Sequence, residues 1–172
     1  MKKLAIVING AGGVGKDTLC DIASKHYKVK NISSVTPIKE IAAMCGWDGG
    51  KDAKSRKFLS DLKKLSAEYN DFPTIWALEE YHAFLESDLE ILFVHIREGE
   101  EIHKFVDGTD GHARTLLIRG GTRTQTARYG NHSDDDVEDY PYDYYYTNDL
   151  SLSETDCAFC RLLERMLDEL DA

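Results

Sequence analysis

The sequence predicts an α/β fold, three layers deep (α/β/α), in which helices cover both faces of a parallel five-stranded sheet. Three observations lead there. Residues 4–8 and 91–96 are short runs that are apolar almost without interruption, the pattern of strands buried on both faces of a parallel sheet. Stretches with apolar residues at three- and four-residue spacing lie between such runs, so that strands alternate with helices. A glycine-rich turn separates the first strand from the first helix.

In chain order, a strand at 4–8 leads through glycines to a helix over about 16–27, then a second strand at 29–33. A helix over 37–44 starts on Pro37, where the missing amide is harmless. After Gly49-Gly50, a helix over 52–69 is expected to pack on Phe58, Leu59, Leu62 and Leu65. Another, over 73–85, is expected to bury Ile75, Trp76, Leu78 and Phe84 in part. The strand at 91–96 follows, then a short helix from Glu100 and a fourth strand at 115–118. A polar segment over 119–140 precedes a fifth strand at 142–146. A closing helix over 153–170 carries the stripe Phe159, Leu162, Leu163, Met166, Leu167 and Leu170. With 172 residues and three prolines there is material for one domain and no linker between two.

Composition narrows the function classes. A 42% share of hydrophobic and 30% of charged residues fits a globular chain and not a disordered one. Apolar runs are too short to span a bilayer, so no membrane partner is expected. No cleavable signal pattern opens the chain, and the expected location is the cytoplasm. A net charge of −10 argues against binding a nucleic-acid polymer. It does not argue against a single nucleotide, which needs only local charges and backbone amides. Cys157 and Cys160 form a CxxC without a second ligand pair at zinc spacing, so reduced, structural thiols are expected. His82, His103, His112 and His132 show no metal-like spacing either. The tyrosines from Tyr140 to Tyr146 suit strand packing, although Tyr129 or Tyr140 could stack on a base.

The chemistry is concentrated after the first strand. Gly10-Ala-Gly-Gly-Val-Gly-Lys-Asp-Thr18 nearly matches the phosphate-binding loop GxxxxGK[ST]. Glycines let the backbone turn amides toward phosphate oxygens, the helix N-terminus adds positive potential, and the lysine reaches the terminal phosphates. Gly10, Gly12, Gly13, Val14, Gly15, Lys16, Asp17 and Thr18 are therefore candidate ATP-binding residues. Asp17 stands where a hydroxyl usually holds Mg²⁺, with Thr18 one residue later. A carboxylate there can take the metal directly or through water, or serve only as a favourable charge at a helix start.

Gly15-Lys-Asp-Thr18 resembles the GKDT of bacteriophage-type deoxynucleoside monophosphate kinases and the GKD of animal-type phosphomevalonate kinases. Weaker matches follow in order: the segment Ser34 to Ala42, Arg56, Arg97 after the central strand, and Tyr142 to Asp149. The resemblance implies the P-loop NTPase fold of the nucleotide-kinase type, with an acceptor-side helical insertion over about 36–87 and a lid over about 119–139. It implies ATP as donor with Mg²⁺, and a nucleoside or deoxynucleoside monophosphate as acceptor. Another small phosphorylated metabolite, of the phosphomevalonate or dephospho-coenzyme A type, is an alternative, as is a slow nucleotide-binding switch. Ser34, Lys39, Arg56 and Arg97 become acceptor-binding candidates. Arg119 is placed on the ATP side, and Arg123 and Arg128 join Lys16 and Asp17 as catalytic candidates. Planar guanidinium forks suit phosphate, and glycines beside the last three arginines suit a closing segment. One departure stands out: His95 occupies a strand end where such kinases commonly have an aspartate. The oligomeric state is open, a homodimer included.

Overall fold

The computed structural model describes residues 2–121 and 137–171. Five parallel strands form one sheet in the order β2-β3-β1-β4-β5. They are β1 (Leu4–Asn9), β2 (Val29–Ser33), β3 (Ile91–His95), β4 (Arg114–Gly120) and β5 (Tyr144–Asn148). The helices are α1 (Lys16–Ala23), α2 (Thr36–Met44), α3 (Ala53–Asn70), α4 (Phe72–Leu85), α5 (Gly99–Gly108) and α6 (Leu152–Asp168). This is the three-layer parallel arrangement that the alternating pattern predicts.

Alternation along the strands divides the core in two. Leu4, Ile6 and Ile8 point with Phe93 and Ile118 toward α1 and α6, where Leu19, Phe159, Leu163 and Met166 are buried. Ala5 and Val7 point with Leu92, Val94 and Leu117 to the other face, under Ala77 and Phe84 of α4 and Phe105 of α5. From the central β1 the chain crosses to β2 on one side, whereas β3 leads to β4 on the other. The carboxyl ends of β1 and β3 thus flank the point where crossovers diverge, which is where open α/β sheets form a crevice.

Local chemistry sets several boundaries. Asp52 caps α3 by accepting from the Ser55 amide at 3.0 Å. A capping box between Ser151 and Glu154 opens α6. Four expectations need correction. α1 ends at Ala23 and not near Tyr27, and the backbone then tightens into turns through His26 and Tyr27. The last strand starts at Tyr144, because Tyr142 is used as a buried side chain below it. The stripe on α3 does not enter the core: Phe58, Leu59 and Leu62 are half-buried and Leu65 is exposed. The reason is position, since α3 packs on α2 and α4 instead of on the sheet. On α4, Ile75 is exposed while Phe84 is fully buried.

Phe159 is the main anchor of α6, fully buried with its ring edge-on to Tyr146 at 5.4 Å. Phe159→Ala is expected to cost about 3–5 kcal/mol, read as a lower urea midpoint at unchanged slope. A loss below about 1 kcal/mol would mean that α6 is not held by this contact.

Candidate active site

The turn between β1 and α1 is shaped by two glycines that tolerate no side chain. Gly10 has φ 147° and Gly15 φ 92°, conformations that L-residues with a Cβ avoid. A Cβ on Gly10 would meet the Ile118 carbonyl at 2.4 Å, and one on Gly15 would meet Asn148 Nδ2 at 2.5 Å. Loop residues are therefore pressed against the ends of β4 and β5. Asn148 Nδ2 donates to the Val14 carbonyl at 3.0 Å and secures that contact. Lys16, at the first position of α1, donates from Nζ to the carbonyls of Gly10 and Ala11, the latter at 3.0 Å. Its ammonium thus sits inside the curl of the loop.

Asn9 ties this loop to the neighbouring strand and is only 1% exposed. Its Oδ1 accepts from the Gly10 amide at 2.8 Å, and its Nδ2 donates to the Arg97 carbonyl at 3.0 Å and to the Tyr142 hydroxyl at 2.8 Å. The Tyr142 hydroxyl in turn donates a hydrogen bond to the Val137 carbonyl at 2.8 Å. Burial pushes the Tyr142 phenol up to about 12, so it stays a donor at neutral pH. Asn9 was not singled out by sequence reasoning. The only trace is its polar side chain at the end of an otherwise apolar strand.

A cleft of about 1820 Å³ opens along the carboxyl ends of β1, β2 and β3 and runs under α2 and α3. Of the loop candidates, Gly12, Gly13, Gly15, Lys16, Asp17 and Thr18 line it; Gly10 and Val14 lie buried behind them. All four acceptor candidates line it too: Ser34 after β2, Lys39 on α2, Arg56 on α3 and Arg97 after β3. Lys39, Arg56 and Arg97 are exposed, whereas Ser34 is buried. Arg119 does not line the cleft; it forms a fork with Glu138, the shortest contact 2.7 Å, and lies over the Tyr145 ring at 4.5 Å. Arg123, Arg128, Tyr129, His132 and most of the expected lid lie outside the described residues.

The cleft also holds a unit that the sequence did not disclose. Lys63 of α3 reaches Glu98 Oε2 at 2.8 Å and Glu101 Oε2 at 2.7 Å, joining α3 to the start of α5. Burial lowers the Lys63 pKa, but Glu101 and Glu98 outweigh it and hold the ammonium above its usual value. Burial also works on the acids: Lys63 overcomes it at Glu98, which lies low, but not at Glu101, which lies high. Residues 35 or more apart in sequence offer no spacing signal for such a contact.

His95 ends β3 beside the loop, half-buried, with Nε2 at 3.9 Å from Cys20 Sγ. Burial pushes the Cys20 thiol up to about 12, with Asp17 and Asp21 adding to it, so this thiol is inert. The four cysteines are free. Away from the cleft, Cys160 has neighbours that the CxxC spacing did not suggest, His26 and Asp156. Those two meet at 2.8 Å in a surface hydrogen bond.

No family model matches the chain, and no curated protein does. Solved structures do. The chain is similar to the tunicamycin resistance protein of Deinococcus radiodurans, at 11% identity and a TM-score of 0.58, over 94% of this chain and 96% of that one. It is similar to a putative kinase from Chloroflexus aurantiacus, at 10% identity and a TM-score of 0.52, over 95% and 97%. A shikimate kinase from Aquifex aeolicus aligns over 94% and 96% at 12% identity and a TM-score of 0.48. The chain shares with these structures a three-layer fold on a parallel five-stranded sheet, and its glycine-rich turn joins the first strand to the first helix.

The His95 imidazole lies below its ordinary 6.5 because it is buried; Lys16 and Arg97 add to this and Asp17 opposes it. The folded chain therefore takes this proton less readily than the unfolded chain. The stability tied to neutral His95 is fully present above the unfolded-state value and is lost as pH falls through it toward the folded value. Urea unfolding between pH 7 and about 5 is expected to show stability falling with pH, and His95→Gln to flatten that slope. Equal slopes for the two proteins would refute this reading of His95.

Proposed function

We propose that this chain is a kinase that moves the γ-phosphoryl group of ATP to a small phosphorylated acceptor, in first place a nucleoside or deoxynucleoside monophosphate. The observation that carries the reading is one cleft lined by both the phosphate loop and a second set of cations, Lys39, Arg56 and Arg97. Its volume of about 1820 Å³ exceeds the roughly 300–1,000 Å³ of a site for one small ligand. Two phosphorylated substrates fit such a space, one on each set of charges. The fold supports the donor half, and the resemblance of Gly15-Lys-Asp-Thr18 to monophosphate kinases supports the acceptor half.

The chemistry asks for placement more than for covalent help. Loop amides and the Lys16 ammonium hold the β- and γ-phosphates. Lys39, Arg56 and Arg97 hold the acceptor phosphate so that its oxygen meets the γ-phosphorus in line. A bond forms to that oxygen as the bond from the γ-phosphorus to the bridging oxygen breaks, and ADP leaves with that electron pair. An acceptor phosphate is already ionised, so no base is required, and the acids Glu98 and Glu101 are bonded to Lys63.

Asp17 and Thr18 offer hard oxygen donors to the cleft beside Lys16, a fit for Mg²⁺. The metal, when bound, neutralises charge on the β- and γ-phosphates. Because His95 stands in place of a strand-end carboxylate, Asp17 carries more of that role here. Its charge already acts on both His95 and Cys20.

The test is a panel of ribo- and deoxyribonucleoside monophosphates and phosphorylated non-nucleotide metabolites, with ATP and Mg²⁺, read as ADP release. ADP release is expected to depend on a monophosphate acceptor, and Lys16→Ala to lower it at least roughly 100-fold without changing the melting temperature. ADP release equal with and without every acceptor would replace the kinase by a nucleotide-hydrolysing switch. Undiminished turnover in Lys16→Ala would remove the loop from the chemistry.

A further inference from the structure

Among the described residues, two buried side-chain oxygens have no hydrogen-bond partner, Glu101 Oε1 and the Tyr146 hydroxyl. Only Glu101 lines the cleft. A buried acceptor left unpaired is costly, most of all on a carboxylate, and in a native fold it calls for a reason. The surroundings are not loose. Lys63 holds the other oxygen, Oε2, at 2.7 Å and shares its ammonium with Glu98 at 2.8 Å. The two carboxylates share that ammonium and meet each other, which engages Glu101 through Oε2 and leaves Oε1 over. Ser34 stands close enough to the Glu101 carboxylate to favour its charged form, yet closes no bond to Oε1.

An acid at the cleft is a poor neighbour for phosphate, so the phosphate ends of both substrates belong with Lys16 and the arginines. What Oε1 can take is a proton donor. Resting on the kinase reading above, we infer that Glu101 is a specificity residue of the acceptor site, whose Oε1 receives a hydrogen bond from an O–H or N–H group on the non-phosphate part of the acceptor. The residue lines the cleft, its side chain is 12% exposed, and the terminal torsion of a carboxylate is soft. In a nucleoside monophosphate the donor is either a sugar hydroxyl or a base N–H. The competing explanation is a clasp between α3 and α5 with no part in recognition.

Glu101→Gln separates the two. Lys63 will keep the amide carbonyl, which puts the amide NH₂ where Oε1 was, and a donor then faces the acceptor's donor. The experiment takes the monophosphate that drives ADP release fastest and two analogues of it, one lacking the sugar 3′-hydroxyl and one with its base N–H donors removed. In the wild type one analogue is expected to lose roughly 10- to 100-fold in kcat/KM. In Glu101→Gln the parent monophosphate loses a similar factor and that analogue loses almost nothing further, with ATP affinity unchanged. The analogue whose penalty vanishes identifies the donor as sugar or base. Glu101→Asp, which keeps the charge but withdraws the oxygen, is expected to lose the same discrimination, with melting temperatures reporting that both variants fold.

Equal losses for parent and analogues in both variants would reduce Glu101 to a structural clasp, and full discrimination in Glu101→Asp would also overturn the inference. No acceptor-dependent ADP release from the wild type with any monophosphate would overturn the kinase reading, and this inference with it.

Discussion

The carboxyl edge of the sheet depends on the side chain of Asn9. A primary amide offers acceptor and donors in one plane, and here it is buried with those groups paired. Its oxygen holds the first amide of the phosphate loop, and its nitrogen holds the carbonyl of Arg97 and the hydroxyl of Tyr142. The glycine-rich loop and the backbone of Arg97 are thereby referred to one rigid point at the end of the central strand. Losing it would break three hydrogen bonds at once, to the Gly10 amide, the Arg97 carbonyl and the Tyr142 hydroxyl, a burden in a dry setting. Under the proposed function, which aligns two phosphates in line, such a common reference helps, since small misplacements cost large factors in rate.

Around that point the cleft is built from unequal materials. The sheet and the two core faces are closely packed and hold the loop, His95 and the start of α5 in place. The α3 side is different: it has no fully buried residue and packs on other helices. It carries Arg56 and Lys63, so the cationic wall and the Lys63 clasp ride on the less deeply anchored part of the molecule. Contact between α3 and α5 passes through charged groups in the cleft, where a ligand can exchange with them. Closure around two substrates would be expected of this side sooner than of the sheet.

The order of elements and the phosphate loop were legible in the sequence because they rest on local rules: continuous apolar strands, helical periodicity and glycines before Lys16. The placement of Ser34, Lys39, Arg56 and Arg97 on one cleft followed the order of the elements, since strand ends of a parallel sheet share an edge. What was not legible depends on contacts between distant positions. Nothing near Lys63 announces Glu98 and Glu101, and nothing near Asn9 announces Tyr142. Periodicity also misled on α3, where an apolar stripe meets neighbouring helices in place of the core. Tyr142 misled in the same way, since a tyrosine that extends a strand pattern was recruited below the sheet to meet Asn9.

The central claim is that one cleft seats two phosphates on two separate sets of charges. Calorimetric titration of a bisubstrate analogue, two nucleosides joined through five phosphates, tests it most directly. The analogue is expected to bind more tightly than ATP. Arg56→Ala and Arg97→Ala should each weaken the analogue by roughly 10- to 100-fold while ATP stays within about threefold. An analogue that binds no better than ATP, or arginine variants that lose ATP and analogue alike, would contradict the claim.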